Sequence, residues 1–141
     1  MSKKFYAFLD IVCTPIVPQG IQTKIIKKTL EEKNFDLSFY TTESHTTFED
    51  MSILKQKLSE KINFNGFAFF SVLQFSYKNQ FDLFLLKKVL KRYKCFFIRE
   101  NIFIKNLNDL KNFEEELRLF PTTSYILINN LKKNFLSITK K

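Results

Sequence analysis

The chain has 141 residues, of which 45% are hydrophobic and 26% charged, and its formal net charge is +9. This length fits one domain, and the sequence contains neither the GxGxxG nor the GxxxxGK(S/T) phosphate-binding motif. The single His (His45) and the two Cys (Cys13 and Cys95) exclude two-histidine and four-cysteine zinc sites. We therefore expect neither a cofactor nor a metal ion.

The first part of the chain alternates between apolar runs and helical periodicity. Residues Phe5–Val12 form a nearly continuous apolar run, which predicts a strand buried on both faces. A helix is predicted from Gln19 onward, and a second strand over Leu37–Tyr40. The apolar residues that line one side of the predicted helix are Ile21, Ile25, Ile26 and Leu30.

The middle of the chain repeats this alternation. Thr46 with Glu49 fits a capping box for a helix whose apolar positions are Met51, Leu54, Leu58 and Ile62. The most apolar strand follows at Gly66–Phe70, and we place it at the sheet centre. Asn79 is a candidate cap for the next helix, whose inward residues are predicted to be Phe81, Phe84, Leu85 and Val89.

The last third adds shorter elements. Cys95–Ile98 is predicted as a fourth strand and Ile102–Ile104 as a short fifth one. A final helix is marked by the periodic apolar residues Leu107, Leu110, Phe113, Leu117 and Phe120. Tyr125–Ile128 fits either an edge strand or a packing segment, and the polar segment 132–141 is a basic tail.

Strands alternating with helices predict an α/β fold. We expect a three-layer sandwich with a four- to five-stranded, mostly parallel sheet and helices on both faces. A single domain would cover residues 1–131, followed by the basic tail 132–141. A secretory signal is not recognisable, and no apolar stretch approaches the roughly 18 residues of a membrane span, so we expect a cytoplasmic protein.

In such sheets, ligands bind beyond the carboxyl ends of the strands, near the point where the strand order reverses. The polar residues that follow the predicted strands there are Thr14, Gln19, Glu43, His45, Ser71, Gln74, Arg99 and Glu100. A catalytic Ser71 would need a base within hydrogen-bond reach, and His45 or Glu43 could supply one only if the loops converge. The alternative interpretation is that these residues are turn and cap residues or solvated loop carboxylates.

Three segments and one further residue, taken in their order along the chain, carry a resemblance to a known family. They are Val17–Gln22 at the start of the first helix, Thr42–Ser44 after the second strand, Gly66–Gln74 through the third strand, and Glu100. Together they resemble the "sporadic carbohydrate cluster" family of small bacterial proteins found in gene clusters for surface-polysaccharide or lipopolysaccharide synthesis. The resemblance spans residues 5–105 and implies a pathway, with no established reaction.

The polar positions of that family correspond to Gln19, Gln22, Glu43, Ser71, Gln74 and Glu100. Two departures stand out. Thr14 replaces an arginine that the family places before its first proline, which weakens anion binding by that loop. Phe75-Ser76 replaces the Leu-Pro pair that usually follows the glutamine of the third strand.

The order of elements is also distantly similar to the catalytic domain of serine recombinases. The loop after the first strand reads Val12-Cys13-Thr14-Pro15, without the Arg-x-Ser nucleophile of that family. Even if the two proteins share a fold, this chain therefore does not share the strand-exchange chemistry.

We predict a protein of surface-carbohydrate biosynthesis that binds a sugar or nucleotide-sugar, because carboxylates, amides and hydroxyls suit hydroxyl-rich ligands. Glu43, Ser71 and Glu100 would be the catalytic residues if it is an enzyme. The residues that would bind substrate are Thr14, Gln19, Gln22, His45, Gln74 and Arg99.

Phosphate and guanine edges favour Arg, and the 23 basic residues include only Arg92, Arg99 and Arg118. Nucleic acid is therefore the weaker alternative, and its binding residues would be Lys87, Lys88, Lys91, Arg92 and Lys94 together with the basic tail. A third is a homodimeric scaffold using surplus Phe side chains.

Overall fold

A computed structural model describes residues 3–10, 17–43, 51–60, 63–77 and 80–119. The strands are β1 (Lys3–Asp10), β2 (Phe35–Glu43), β3 (Gly66–Phe69), β4 (Ser76–Tyr77), β5 (Gln80–Phe81), β6 (Lys94–Phe97) and β7 (Ile102–Ile104). The helices are α1 (Gln19–Glu32), α2 (Ser52–Ser59), α3 (Leu83–Leu90) and α4 (Leu107–Leu110), with a 3₁₀ turn at Val72–Phe75. Residues 114–119 are also helical.

Five strands form one sheet in the order β2-β1-β3-β6-β7. The first four are mutually parallel, and β7 pairs antiparallel with β6. Strands β4 and β5 form a separate antiparallel pair. The α/β class, the mostly parallel sheet and the central position of β3 are thus confirmed.

The strand order reverses between β1 and β3. From β1 the chain moves outward to β2, and it then crosses back over β1 to enter β3 and continue to β6. In a sheet wound in both directions, the connections that leave the two strands at such a reversal run to opposite faces of the sheet and leave a crevice at the carboxyl ends. A ligand site is therefore expected next to the residues that follow β1 and β3.

Two hydrophobic clusters lie on opposite faces of the sheet, because alternate residues of each strand point to opposite sides. Phe8, Phe69 and Phe97 belong to the cluster that includes residues of α2 and α3. Ala7 and Phe96 belong to the other, which includes residues of α1. Residues of α2 and α3 therefore contribute to one cluster and residues of α1 to the other.

The buried side of α1 differs from the prediction. Ile21 and Ile25 are 50% and 40% exposed, and the helix instead buries Gln22, Ile26 and Leu30. These three residues follow a strict four-residue spacing, which defines one stripe of a helix. Ile26 and Leu30 are buried as predicted, whereas hydrophobicity alone does not identify the polar Gln22 as the third member of this stripe.

The start of α3 also differs from the prediction. Asp82 is its N-cap, and the Asp82 Oδ1 atom accepts a hydrogen bond from Leu85 N at 3.1 Å. Asn79, the predicted cap, lies outside the described residues. With this start the helix buries Leu85, Leu86, Val89 and Leu90, whereas Phe84, predicted to point inward, is 70% exposed.

Two other predicted helices are shorter or interrupted. Helix α2 begins at Ser52 after the N-cap residue Met51, so Thr46, itself outside the described residues, is not its cap. The last predicted helix consists of α4 and residues 114–119, separated by a turn. Tyr125–Ile128 and the tail 132–141 lie outside the described residues. Within the described ranges, no helix is long and apolar enough to cross a bilayer.

Candidate functional site

A 3₁₀ turn directly after β3 organises the carboxyl end of the sheet. Ser71 caps this turn: its Oγ accepts a hydrogen bond from Leu73 N at 3.2 Å. In return Ser71 N donates to Gln74 Oε1 at 3.2 Å, which completes a capping box. Both side chains are buried. The spacing Ser-x-x-Gln therefore has a local structural reason.

The same Gln74 side chain joins the turn to β1. Its Nε2 atom donates a hydrogen bond to the Leu9 carbonyl oxygen at 3.2 Å. Leu9 lies near the end of β1, so this bond crosses between the two strands at which the strand order reverses. A buried amide that satisfies two backbone groups of different segments holds both in fixed positions.

Glu100 enters this cluster from the turn after β6. Its Oε2 accepts a hydrogen bond from Ser71 Oγ at 2.8 Å, and its Oε1 accepts one from Val72 N at 2.9 Å. The backbone of this turn is itself attached to the end of β3, because Arg99 N donates to the Phe70 carbonyl at 2.9 Å. Both oxygens of the carboxylate are therefore held by the residues that follow β3.

The electrostatic environment of Glu100 combines opposing effects. Burial raises the pKa of its carboxyl from the ordinary value of 4.5, because loss of water disfavours the charged form. The hydrogen bonds from Val72 N and Ser71 Oγ and the charge of Arg99 lower the pKa and only partly offset burial. The result is a carboxyl whose affinity for a proton is greater than that of a solvated glutamate.

A continuous set of hydrogen bonds thus links the carboxyl ends of three neighbouring strands. It runs from Leu9 of β1 through Gln74 and Ser71 after β3 to Glu100 after β6. Glu100 is the half-buried member of this set, whereas Ser71 and Gln74 are fully buried. Because each carboxylate oxygen can accept two hydrogen bonds, Glu100 retains acceptor capacity for a ligand.

The remaining predicted site residues occupy varied positions. Gln19 is half-buried at the start of α1, and Arg99 is exposed. Gln22 is fully buried, and its Nε2 donates to the Val17 carbonyl at 2.9 Å, so it belongs to the packing of α1. Glu43 ends β2, and its side chain is not described. Thr14 and His45 lie outside the described residues.

Sequence reasoning did not identify Glu100 as the partner of Ser71. His45 and Glu43 were candidate bases on the condition that the loops converge, whereas the carboxylate in contact with the Ser71 hydroxyl belongs to Glu100. It also missed the Leu9 carbonyl and the Val72 amide. The Ser-x-x-Gln spacing was a readable signal for the capping box, but no sequence pattern indicates a backbone partner 65 positions away.

No group of His, Cys, Asp and Glu side chains suited to a metal ion occurs in the part of the chain that the structure describes. Cys95, the free thiol there, is fully buried in β6, and burial raises its pKa well above the ordinary value. Comparison of the chain with protein-family models, with curated proteins and with solved structures finds no significant match.

Proposed function

We propose that the protein binds a sugar or nucleotide-sugar at the carboxyl edge of its sheet, as a cytoplasmic component of bacterial surface-carbohydrate biosynthesis. The resemblance of residues 5–105 to the sporadic carbohydrate cluster family supports the pathway. The chemistry of the hydrogen-bonded cluster supports the class of ligand. Its half-buried member, the Glu100 carboxylate, accepts hydrogen bonds of the kind that sugar hydroxyls donate.

The observation that carries the proposal is the placement of Glu100. Its two oxygens are fixed by Ser71 Oγ and Val72 N, next to the reversal of strand order where ligands of this fold class bind. A carboxylate held in this way loses little conformational entropy when it accepts hydroxyl groups. Hydrogen bonds to a charged acceptor are also stronger than those between neutral groups.

The other members of the cluster support distinct roles. Ser71 and Gln74 are buried, so they act as oriented groups that hold Glu100 and the end of β1. Exposed Arg99 follows the same strand as Glu100 and is suited to the phosphate of a nucleotide-sugar. The raised pKa of Glu100 also suits proton exchange with a bound hydroxyl, should the ligand be transformed.

Thermal unfolding in the presence of a panel of nucleoside-diphosphate sugars tests this proposal. A ligand present at about 100 times its Kd stabilises the protein by about 2.7 kcal/mol. That free energy corresponds to a rise in Tm of roughly 5–10 °C for a domain of this size. Glu100→Gln should reduce the rise at the same ligand concentration, because the amide loses the charge that strengthens the hydrogen bonds to the sugar.

Asp36→Asn is the matched control, because Asp36 is an exposed carboxylate near the amino end of β2, at the opposite edge of the sheet. It should leave the ligand-induced rise in Tm unchanged. The proposal is wrong if no member of the panel stabilises the protein, or if the two variants reduce the rise equally.

A further inference from the structure

The exposed side of α3 combines one aromatic side chain with lysines. Phe84, Lys87, Lys88 and Lys91 recur at three- and four-residue spacing, which places them on one stripe along the helix. All four are exposed, and Phe84 is 70% exposed. The opposite side of the helix is buried in the core through Leu85, Leu86, Val89 and Leu90. We call the exposed stripe, together with the adjacent exposed Arg92, the α3 surface.

All charged side chains of the α3 surface are positive. Residues 83–99 contain no Asp or Glu, so no acidic side chain of this segment neutralises the four cations. The nearest acid along the chain is Asp82, which is half-buried and accepts the hydrogen bond that caps α3. An anionic partner is the one that complements such a surface.

Helix electrostatics alone do not account for the α3 surface. Lys residues in the last turn of a helix interact favourably with its dipole, which would explain Lys87 and Lys88. That effect does not explain a large aromatic ring left in water on the same stripe. The Lys88 Nζ atom lies 4.6 Å from the centroid of the Phe84 ring, so the ring and the ammonium group are in contact on the surface.

We propose that the α3 surface docks the protein onto a bilayer that contains anionic phospholipids. A short helix with an aromatic residue among lysines suits this partner, because the ring enters the headgroup region while the ammonium groups meet lipid phosphates. Lysines act as point charges and need no fixed arrangement of phosphates, whereas recognition of a nucleic acid favours the arginine fork. The inference does not depend on the proposed sugar ligand.

Flotation with phosphatidylcholine vesicles, with and without about one quarter phosphatidylglycerol, tests this inference. The wild-type protein should float with the anionic vesicles only, and less as the salt concentration rises. Lys87→Glu combined with Lys91→Glu should weaken vesicle binding by about tenfold or more, because each basic residue near such a surface contributes substantially to the attraction. Phe84→Ser should weaken it severalfold with the charge unchanged.

Lys24→Glu combined with Lys27→Glu is the matched control, because both lysines are exposed on α1 and the net charge changes equally. This variant should retain most of the binding, and thermal unfolding should show that each variant folds. Equal losses in the two double variants would overturn the proposal, as would wild-type protein that fails to float. Binding to a single-stranded oligonucleotide but not to vesicles would assign the surface to nucleic acid instead.

Discussion

The amino and carboxyl ends of strands β1, β3 and β6 differ in chemical character: the first is packed with apolar groups, and the second contains polar groups. At the amino end the strands approach closely over Gly66, and the Phe5 ring lies against that glycine. Phe5 is itself stacked on Phe35, with ring centroids 4.6 Å apart. At the carboxyl end, the buried groups include the polar side chains Ser71 and Gln74, with Glu100 half-buried beside them.

The difference separates a stabilising region from a candidate binding region. Apolar contact at the amino end needs no partner beyond good packing. Polar groups at the carboxyl end cost free energy unless each one is hydrogen-bonded, and the side chains of Ser71, Gln74 and Glu100 are hydrogen-bonded to one another or to the backbone. Because this polar cluster lies at the reversal of strand order, and not at the amino end, the carboxyl edge is the candidate binding region.

Gly66→Ala tests the amino end and should have the largest effect. A Cβ atom at this position would lie 2.6 Å from the Lys94 carbonyl oxygen and 2.8 Å from the Phe5 ring, so backbone or a stacked ring must move. We expect a loss of about 3 kcal/mol in the free energy of unfolding, measured by urea denaturation.

Gly20→Ala provides the control, because a Cβ atom there meets nothing within 4 Å. It should leave stability unchanged or raise it by up to about 1 kcal/mol, since alanine favours the helix. Equal destabilisation by both substitutions would show that the close approach at Gly66 does not hold the sheet together.

Gln74→Met tests the carboxyl end, and its effect on the free energy of unfolding should be smaller than that of Gly66→Ala. The substitution keeps the length of the side chain but leaves Ser71 N and the Leu9 carbonyl without the partner described above. We expect a loss of about 2 kcal/mol in the free energy of unfolding, which is the cost of leaving buried polar groups unsatisfied.

The same substitution at exposed Gln56 in α2 should change stability by less than about 0.5 kcal/mol. Should Gln74→Met prove as neutral as Gln56→Met, the hydrogen bonds across the reversal of strand order would not contribute to the fold.

Glu100→Gln should produce the smallest effect, a change in the pH dependence of stability. The pKa of Glu100 is raised in the folded protein, so the folded state binds a proton more tightly than the unfolded state. This contribution to stability is present below the ordinary value of 4.5 and is lost as the pH rises through the folded pKa. The variant should therefore gain stability relative to the wild type as the pH rises.

Urea denaturation of both proteins between about pH 4 and pH 8 measures this trend, and Asp36→Asn is again the control. A wild-type protein that instead gains stability relative to Glu100→Gln over this interval would show that the two hydrogen bonds outweigh burial at this carboxyl.

The fold was largely predictable because its strands are strongly apolar. The run Gly66–Phe70 was recognised as the central strand from composition alone, and β3 lies there. The inner sides of α1 and α3 were predicted correctly only in part, because each helix also has positions that break the hydrophobic pattern. Gln22 is polar but buried, and Phe84 is apolar but exposed, so hydrophobicity was misleading at both positions.

Three of the candidate site residues could be predicted from the sequence, but their arrangement could not. Ser71, Gln74 and Glu100 were named because they follow strands, and the structure brings them together. Their partners could not be named. The Leu9 carbonyl and the Val72 amide are backbone groups, which carry no residue-type signal, and their positions depend on the register of β1 against β3.

The most direct test of ligand binding at the carboxyl edge is to follow backbone amide signals by NMR during titration with nucleoside-diphosphate sugars. The predicted result is a saturable change concentrated at Ser71, Val72, Arg99 and Glu100. Changes concentrated instead at the amino end of the sheet, around Asn65 and Lys94, would contradict the account, and so would the absence of any change across the panel.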